Sequence, residues 1–300
     1  MSKSVPTLNG IRFYNARAHG RDLDIPEFTT INEQLPLASV VPHQPVPVTR
    51  GMQTAEDYNF TTDSQNVFVR YLAIGNRGHF AVNNGEDFKN YDKLATMNGL
   101  YGMIPWVVRP VNNDLSQSER ARYRLRKTML IAGQLYAAYY LLAIDFGAAI
   151  EQNTVTTVNG GIENTYTHVP SQADLTPTPF VAPISPDNDG SFASSSLIVT
   201  IDLTQELQNV RDACALVYGD ENKAIISEMA VCSGVDKPVT VAYSDSTTPA
   251  ISSVPAGAAT EAVAVQIVSH IVDCFYVLRT FNTLSITIDV GGSEPLYGTQ

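Results

Sequence analysis

The chain has 300 residues, 44% hydrophobic and 16% charged, and its 19 Lys and Arg against 30 Asp and Glu leave a net charge of −11. That apolar content excludes a disordered chain, and the length supports a core without disulfides. The acidic balance excludes a generally basic nucleic-acid coat, while a charged fraction below the roughly 25% of an average globular domain fits a protein that covers much of its surface against neighbours.

Residues 1–60 read as an extended proline-rich arm. Pro6, Pro26, Pro36, Pro42, Pro45 and Pro47 remove backbone donors and push their predecessors toward extended geometry. The stretch Leu35–Val48 is therefore no helix, and its apolar residues share no periodic face, so the arm is expected to lie on another chain. Met1 to Asn15 has no apolar core of a signal peptide. The body, 61–300, opens with a β-rich run, Val67 to Ile74, that ends in the turn composition Gly75-Asn76-Arg77-Gly78. After a polar loop comes a short apolar piece, Met103 to Val108, broken by Pro105.

Ser116-Gln117-Ser118-Glu119 is a capping box that predicts a short helix near 116–124. Thr128–Ile131 and Leu135–Phe146 then read as a hairpin turning at Gly133; a continuous helix over 117–146 is the alternative. The apolar stretch Leu135–Ile150 is shorter than the ~20 residues a bilayer needs and contains Asp145, so no membrane span is expected. A second hairpin, Thr154–Val158 and Ile162–Val169, flanks Asn159-Gly160-Gly161, and with the loop after it makes a hairpin-and-loop insertion over 150–195.

Leu197–Ile201 is a strand. Thr204 starts a helix to Tyr218 with Leu207, Val210, Cys214 and Val217 on its buried face and Gly219 as the stop. Strands are expected over Lys223–Val231, Pro238–Tyr243, Ala262–Val272 and Leu284–Val290. The fold class is thus α+β: a strand-rich body with antiparallel sheets, a few short helices and an extended N-terminal arm.

No enzyme signature is present, and no catalytic residue, cofactor or metal is expected. The odd count of Cys214, Cys232 and Cys274, with no C-x-x-C, reads as reduced buried thiols. The five histidines stand apart in sequence. His79 sits in a loop-like setting where general bases occur, but it reads as a polar loop residue hydrogen-bonded to backbone. Asn83-Asn84-Gly85-Glu86-Asp87 lacks the alternate oxygen spacing of a calcium loop, and Asp187-Asn188-Asp189-Gly190 reads as a turn before a metal loop.

One charge anomaly stands out. Arg120, Arg122, Arg124, Arg126 and Lys127 crowd into eight residues. On a strand the four arginines would share one face, an interface for an acidic neighbour or for another copy of this acidic chain. The rival is a solvated face with local carboxylate partners. The scarcity of aromatics in the cluster argues against nucleic acid as the partner.

Several strings read together carry a likeness: Tyr71-Leu72-Ala73-Ile74-Gly75-Asn76-Arg77-Gly78-His79; Ile104-Pro105-Trp106-Val107-Val108-Arg109-Pro110; Asn113-Asp114-Leu115-Ser116; Glu119-Arg120-Ala121-Arg122-Tyr123; Ile226-Ser227-Glu228-Met229-Ala230-Val231-Cys232-Ser233-Gly234; and Gly291-Gly292-Ser293-Glu294-Pro295-Leu296. This arrangement resembles virion structural proteins of large contractile-tailed bacteriophages, in particular baseplate wedge proteins. The resemblance implies a non-enzymatic assembly subunit of the tail or baseplate, built into the virion in the host cytoplasm. Its partners would be neighbouring virion subunits, a second copy of itself among them. A viral capsid or nucleocapsid protein and a carbohydrate-binding host-recognition module, with Tyr139 and Tyr140 as candidate aromatics, are the alternative readings.

Overall fold

The computed structural model describes residues 4–19, 31, 45–46, 68–82, 87–176, 190–240, 242–245, 248–253, 260–272 and 285–296. In chain order the elements begin with β1 (Ser4–Pro6), α1 (Leu8–Ala18), β2 (Pro45–Val46), β3 (Phe68–Gly75), β4 (His79–Val82), β5 (Asp87–Asn90), β6 (Met103–Ile104) and β7 (Val107–Pro110). Next come α2 (Gln117–Arg120), β8 (Tyr123–Ile131), β9 (Gln134–Ala143), β10 (Ile150–Asn159), β11 (Ile162–Thr167) and β12 (Phe192–Asp202). The last are α3 (Thr204–Tyr218), β13 (Glu228–Thr240), β14 (Ala242–Asp245), β15 (Thr248–Ser253), β16 (Thr260–Val272) and β17 (Ser285–Pro295). The molecule is α+β, strand-rich, with antiparallel sheets and few helices.

The chain divides into two units: one of residues 1–144 and 204–284, the other of 145–203 and 285–300. The first holds a nine-stranded sheet in the order β1-β16-β13-β3-β9-β8-β2, with β6 added to β3 and β7 to β9. β3 is central, and Tyr71, Leu72, Ala73 and Ile74 are buried on both its faces. One face, with Tyr71, Ala73, Ala138, Tyr140, Ala230 and Cys232, packs with Ala213 and Val217 of α3. Trp106 is fully buried and donates its indole N–H to the Leu72 carbonyl at 3.0 Å. The second unit is a four-stranded antiparallel sheet ordered β11-β10-β12-β17.

Both hairpins form. Ile131 faces Gln134 across Ala132 and Gly133 at φ +49° and +84°, and Asn159 faces Ile162 across Gly160 and Gly161 at +57° and +78°. Two central residues at positive φ match the twist of the flanking strands, so the continuous helix over 117–146 is not what forms. The capping box is present: the Ser116 hydroxyl accepts from Glu119 N and the Glu119 carboxylate accepts from Ser116 N. The helix it starts is one turn long. α3 runs as expected, with Leu207, Val210, Cys214 and Val217 buried and Gly219 at φ +69°.

The sequence reading departs from the structure at several places. The start of the arm, residues 4–19, is a strand and a helix: Ser4–Pro6 pairs with His270–Val272, and the Thr7 hydroxyl caps α1 by accepting from Gly10 N at 3.1 Å. Of Leu35–Val48, only Pro45–Val46 lies among the described residues, extended and paired with Met129 and Thr128. The strand expected from Lys223 starts at Glu228, because the Asp220 carboxylate accepts from Asn222 N at 2.9 Å and turns the chain through 221–223. Pro238, expected to open a separate strand, lies inside β13 opposite Ala262. The insertion over 150–195 is part of a larger unit that takes in all of β12 and the distant β17. Cys274 and the calcium-like strings 83–86 and 187–189 lie outside the described residues.

Candidate functional site

The most concentrated polar chemistry in the first unit surrounds Glu228 at the start of β13. Its side chain is fully buried. Oε1 accepts from Gly102 N at 2.8 Å, and Oε2 accepts from Tyr101 N at 2.9 Å and from the Lys93 ammonium, itself 1% exposed. The ammonium also sits over the Tyr101 ring, 3.8 Å from its centroid. The Tyr101 ring packs tilted against Tyr91, centroids 5.1 Å apart, and Tyr91 packs tilted against Phe80 at 4.8 Å. Next to Glu228, the Ser227 hydroxyl accepts from Gly78 N at 3.0 Å and Ser227 N donates to Gly75 O.

Gly75 is required here, since a Cβ on it would strike the Glu228 carboxylate and the Gly102 carbonyl. Both carboxylate oxygens are occupied and water is excluded, so Glu228 holds the 91–102 loop onto the β3–β13 pair. This is a charge-assisted clamp.

His79 borders this clamp. It opens strand β4, paired with Asn90, where a loop was expected. Burial lowers its pKa from the ordinary value, and the Glu228 carboxylate acts in the opposite direction. A histidine with a depressed folded pKa contributes stability that is complete above the unfolded value, about 6.5, and is lost as pH falls below it. The urea midpoint should therefore drop between pH 7 and 5.5. His79→Gln should flatten that drop, and an unchanged slope would place its cause elsewhere.

The basic cluster occupies a second network. Its four arginines do not share one strand face: Arg120 closes α2, Arg122 lies in the turn after it, and only Arg124 and Arg126 enter β8. Between those two, Leu125 is buried at φ +54°, a left-handed conformation that an L side chain rarely takes. Arg126, 2% exposed, donates Nε–H to Asp114 Oδ2 at 2.9 Å; Asp114 Oδ1 also accepts from Tyr139 Oη at 2.8 Å. Arg122 pairs with the buried Glu206 of α3 at 2.7 Å. Arg124 Nη1 donates to the carbonyls of Arg120, Ala121 and Tyr123, at 2.7, 2.8 and 3.0 Å, capping the end of α2. Lys127 is buried, with its ammonium 5.8 Å from the Tyr140 ring centroid. The cluster therefore ties the α2 corner to β9 and α3, and Arg120, Arg122 and Arg124 are the members that reach the surface.

The candidate aromatics Tyr139 and Tyr140 are both core residues. Burial pushes the Cys214 thiol up to about 12 and raises Cys232 as well, as expected for packed thiols. Among the described residues no three His, Cys, Asp or Glu side chains group to hold a metal, and no helix is long and apolar enough to cross a membrane. Sequence reading singled out none of Lys93, Glu206 or Glu228 as individual residues. The one available signal was the place of Glu228 within the string Ile226–Gly234. That string, Tyr71–His79 and Ile104–Pro110 are neighbours in the large sheet.

Comparison with curated proteins and with solved structures returns no match. The sequence profile of DUF7208, described as a family of unknown function, matches residues 51–300. With most of its length covered by that profile, the chain belongs to the DUF7208 family.

Proposed function

We propose that this chain is a non-enzymatic structural subunit of a phage virion, a baseplate wedge or other tail component, that works through contacts with neighbouring subunits. The observation that carries this reading is the surface of the second unit. Ile150, Ile162, Tyr166, Val169 and Leu175 there are each more than half exposed, on a chain of which only 16% is charged. Exposed apolar side chains of this size are what a contact between subunits would cover. The charged side chains of the Glu228 clamp and the Asp114–Arg126 pair are committed to internal ties, which suits a scaffold. The likeness of the strings around β3, β7 and β13 to baseplate wedge proteins supplies the virion setting.

Immunogold electron microscopy of particles, with antibody raised against this chain, tests the placement. Label on the tail or baseplate is the expected result. Label on the head moves the chain to the capsid. Particles without label, together with glycan binding by the free protein, would overturn the reading in favour of a recognition module.

A further inference from the structure

Sheet edges expose unpaired N–H and C=O groups, and proteins blunt them with short strands, proline, charge or bulges. The large sheet ends in β1, three residues closing on Pro6, and in β2, two residues starting at Pro45. The outer strand β17 carries Asp289, Glu294 and the pair Gly291-Gly292, and it ends at Pro295. β11 carries less of this protection. Its six residues, Ile162-Glu163-Asn164-Thr165-Tyr166-Thr167, contain no proline and one charge, pair with β10 without a bulge, and are all exposed.

The turn fixes which groups point outward. Across a two-residue turn of this kind, Asn159 and Ile162 form the closing hydrogen-bonded pair, so Ile162, Asn164 and Tyr166 bond toward β10. His168 N, in the same alternation, donates to Asn153 O at 2.8 Å. The N–H and C=O groups of Glu163, Thr165 and Thr167 therefore face away from the sheet.

We propose that β11 pairs antiparallel with β11 of a second copy of this chain, in the register that sets Asn164 opposite its own counterpart. A two-fold axis normal to the sheet brings like faces together, so opposed residues must have equal parity. In this register Ile162 lies across from the partner's Tyr166, and Tyr166 across from the partner's Ile162. These are aliphatic–aromatic cross-strand pairs on the face where both side chains are exposed. On the other face Glu163 lies across from Thr165, and no like charges stand directly opposed. Glu163 and Thr165 exchange backbone hydrogen bonds with their counterparts through the outward groups. The result is one continuous eight-stranded sheet, doubling the four strands of this unit. The pairing is independent of where the particle carries the chain.

Cross-linking and sedimentation equilibrium of the full chain test this. In a Cys274→Ser background, Asn164→Cys should form a disulfide dimer under mild oxidation while Thr165→Cys should not. The unsubstituted chain should dimerise at or below about 100 µM, more tightly at higher salt because two copies of net charge −11 repel. Glu163→Pro removes an outward donor and spares the bonds to β10, so it should weaken dimerisation at least tenfold while leaving circular dichroism and Tm unchanged. A chain monomeric at that concentration, a Glu163→Pro variant that dimerises normally, or cross-linking through Thr165→Cys in place of Asn164→Cys would overturn the proposal.

Discussion

Glu228→Ala should destabilise the first unit by about 3–5 kcal/mol, because removing one partner of a buried ion pair strands the other without solvent. Here the stranded group is Lys93, 1% exposed, and the backbone N–H groups of Tyr101 and Gly102 lose their acceptor at the same time. Against a total stability of about 5–15 kcal/mol, the single change takes a large share. Lys93→Met combined with Glu228→Gln removes both charges, and should recover much of the loss. Urea unfolding followed by fluorescence reports on this unit alone, since Trp106 is the one tryptophan of the chain and lies in its core. A cost below about 1 kcal/mol for Glu228→Ala, or a double variant no better than the worse single, would show that the clamp is not formed in solution.

Asp114→Ala should cost about 3 kcal/mol, for a related reason. The Asp114 carboxylate accepts from the nearly buried Arg126, from Tyr139 Oη and, at 2.7 Å, from Leu115 N. Arg126→Ala should be similarly damaging. Arg124→Ala should cost about 1 kcal/mol or less, since Arg124 is partly exposed and donates to carbonyls at the end of a one-turn helix. The ordering of these variants by urea midpoint is the check. If Arg124→Ala cost as much as Arg126→Ala, the division of the cluster into a buried tie and a surface cap would be wrong.

What the sequence revealed was local. Ser116 and Glu119 satisfy each other within one turn, Gly133 and Gly160-Gly161 supply the backbone that tight hairpins need, and the spacing of Leu207, Val210, Cys214 and Val217 marks a buried face within a single helix. The site residues depend on partners far away in sequence. Lys93 and Glu228 are 135 positions apart, and nothing beside either distinguishes a buried charge from a solvated one. The arginine cluster misled because its spacing fits a strand, whereas α2 takes Arg120 and the Leu125 backbone departs from extended geometry. The start of α1 was legible in principle: Thr7, directly after Pro6, is an N-cap residue type in the right place.

The pairing of Ser4–Pro6 with β16, and of β12 with the distant β17, has a kinetic consequence. Each unit includes strands from distant parts of the chain, so the first sheet cannot close until β16, and the second until β17, has left the ribosome. Such high contact order slows folding. It also leaves β12 without its outer neighbour until β17 has been made, a period in which an unpaired strand can recruit the wrong partner. Nascent chains stalled before residue 285 should therefore present β12 open to proteases and chaperones. Pairing with β17 then withdraws that strand.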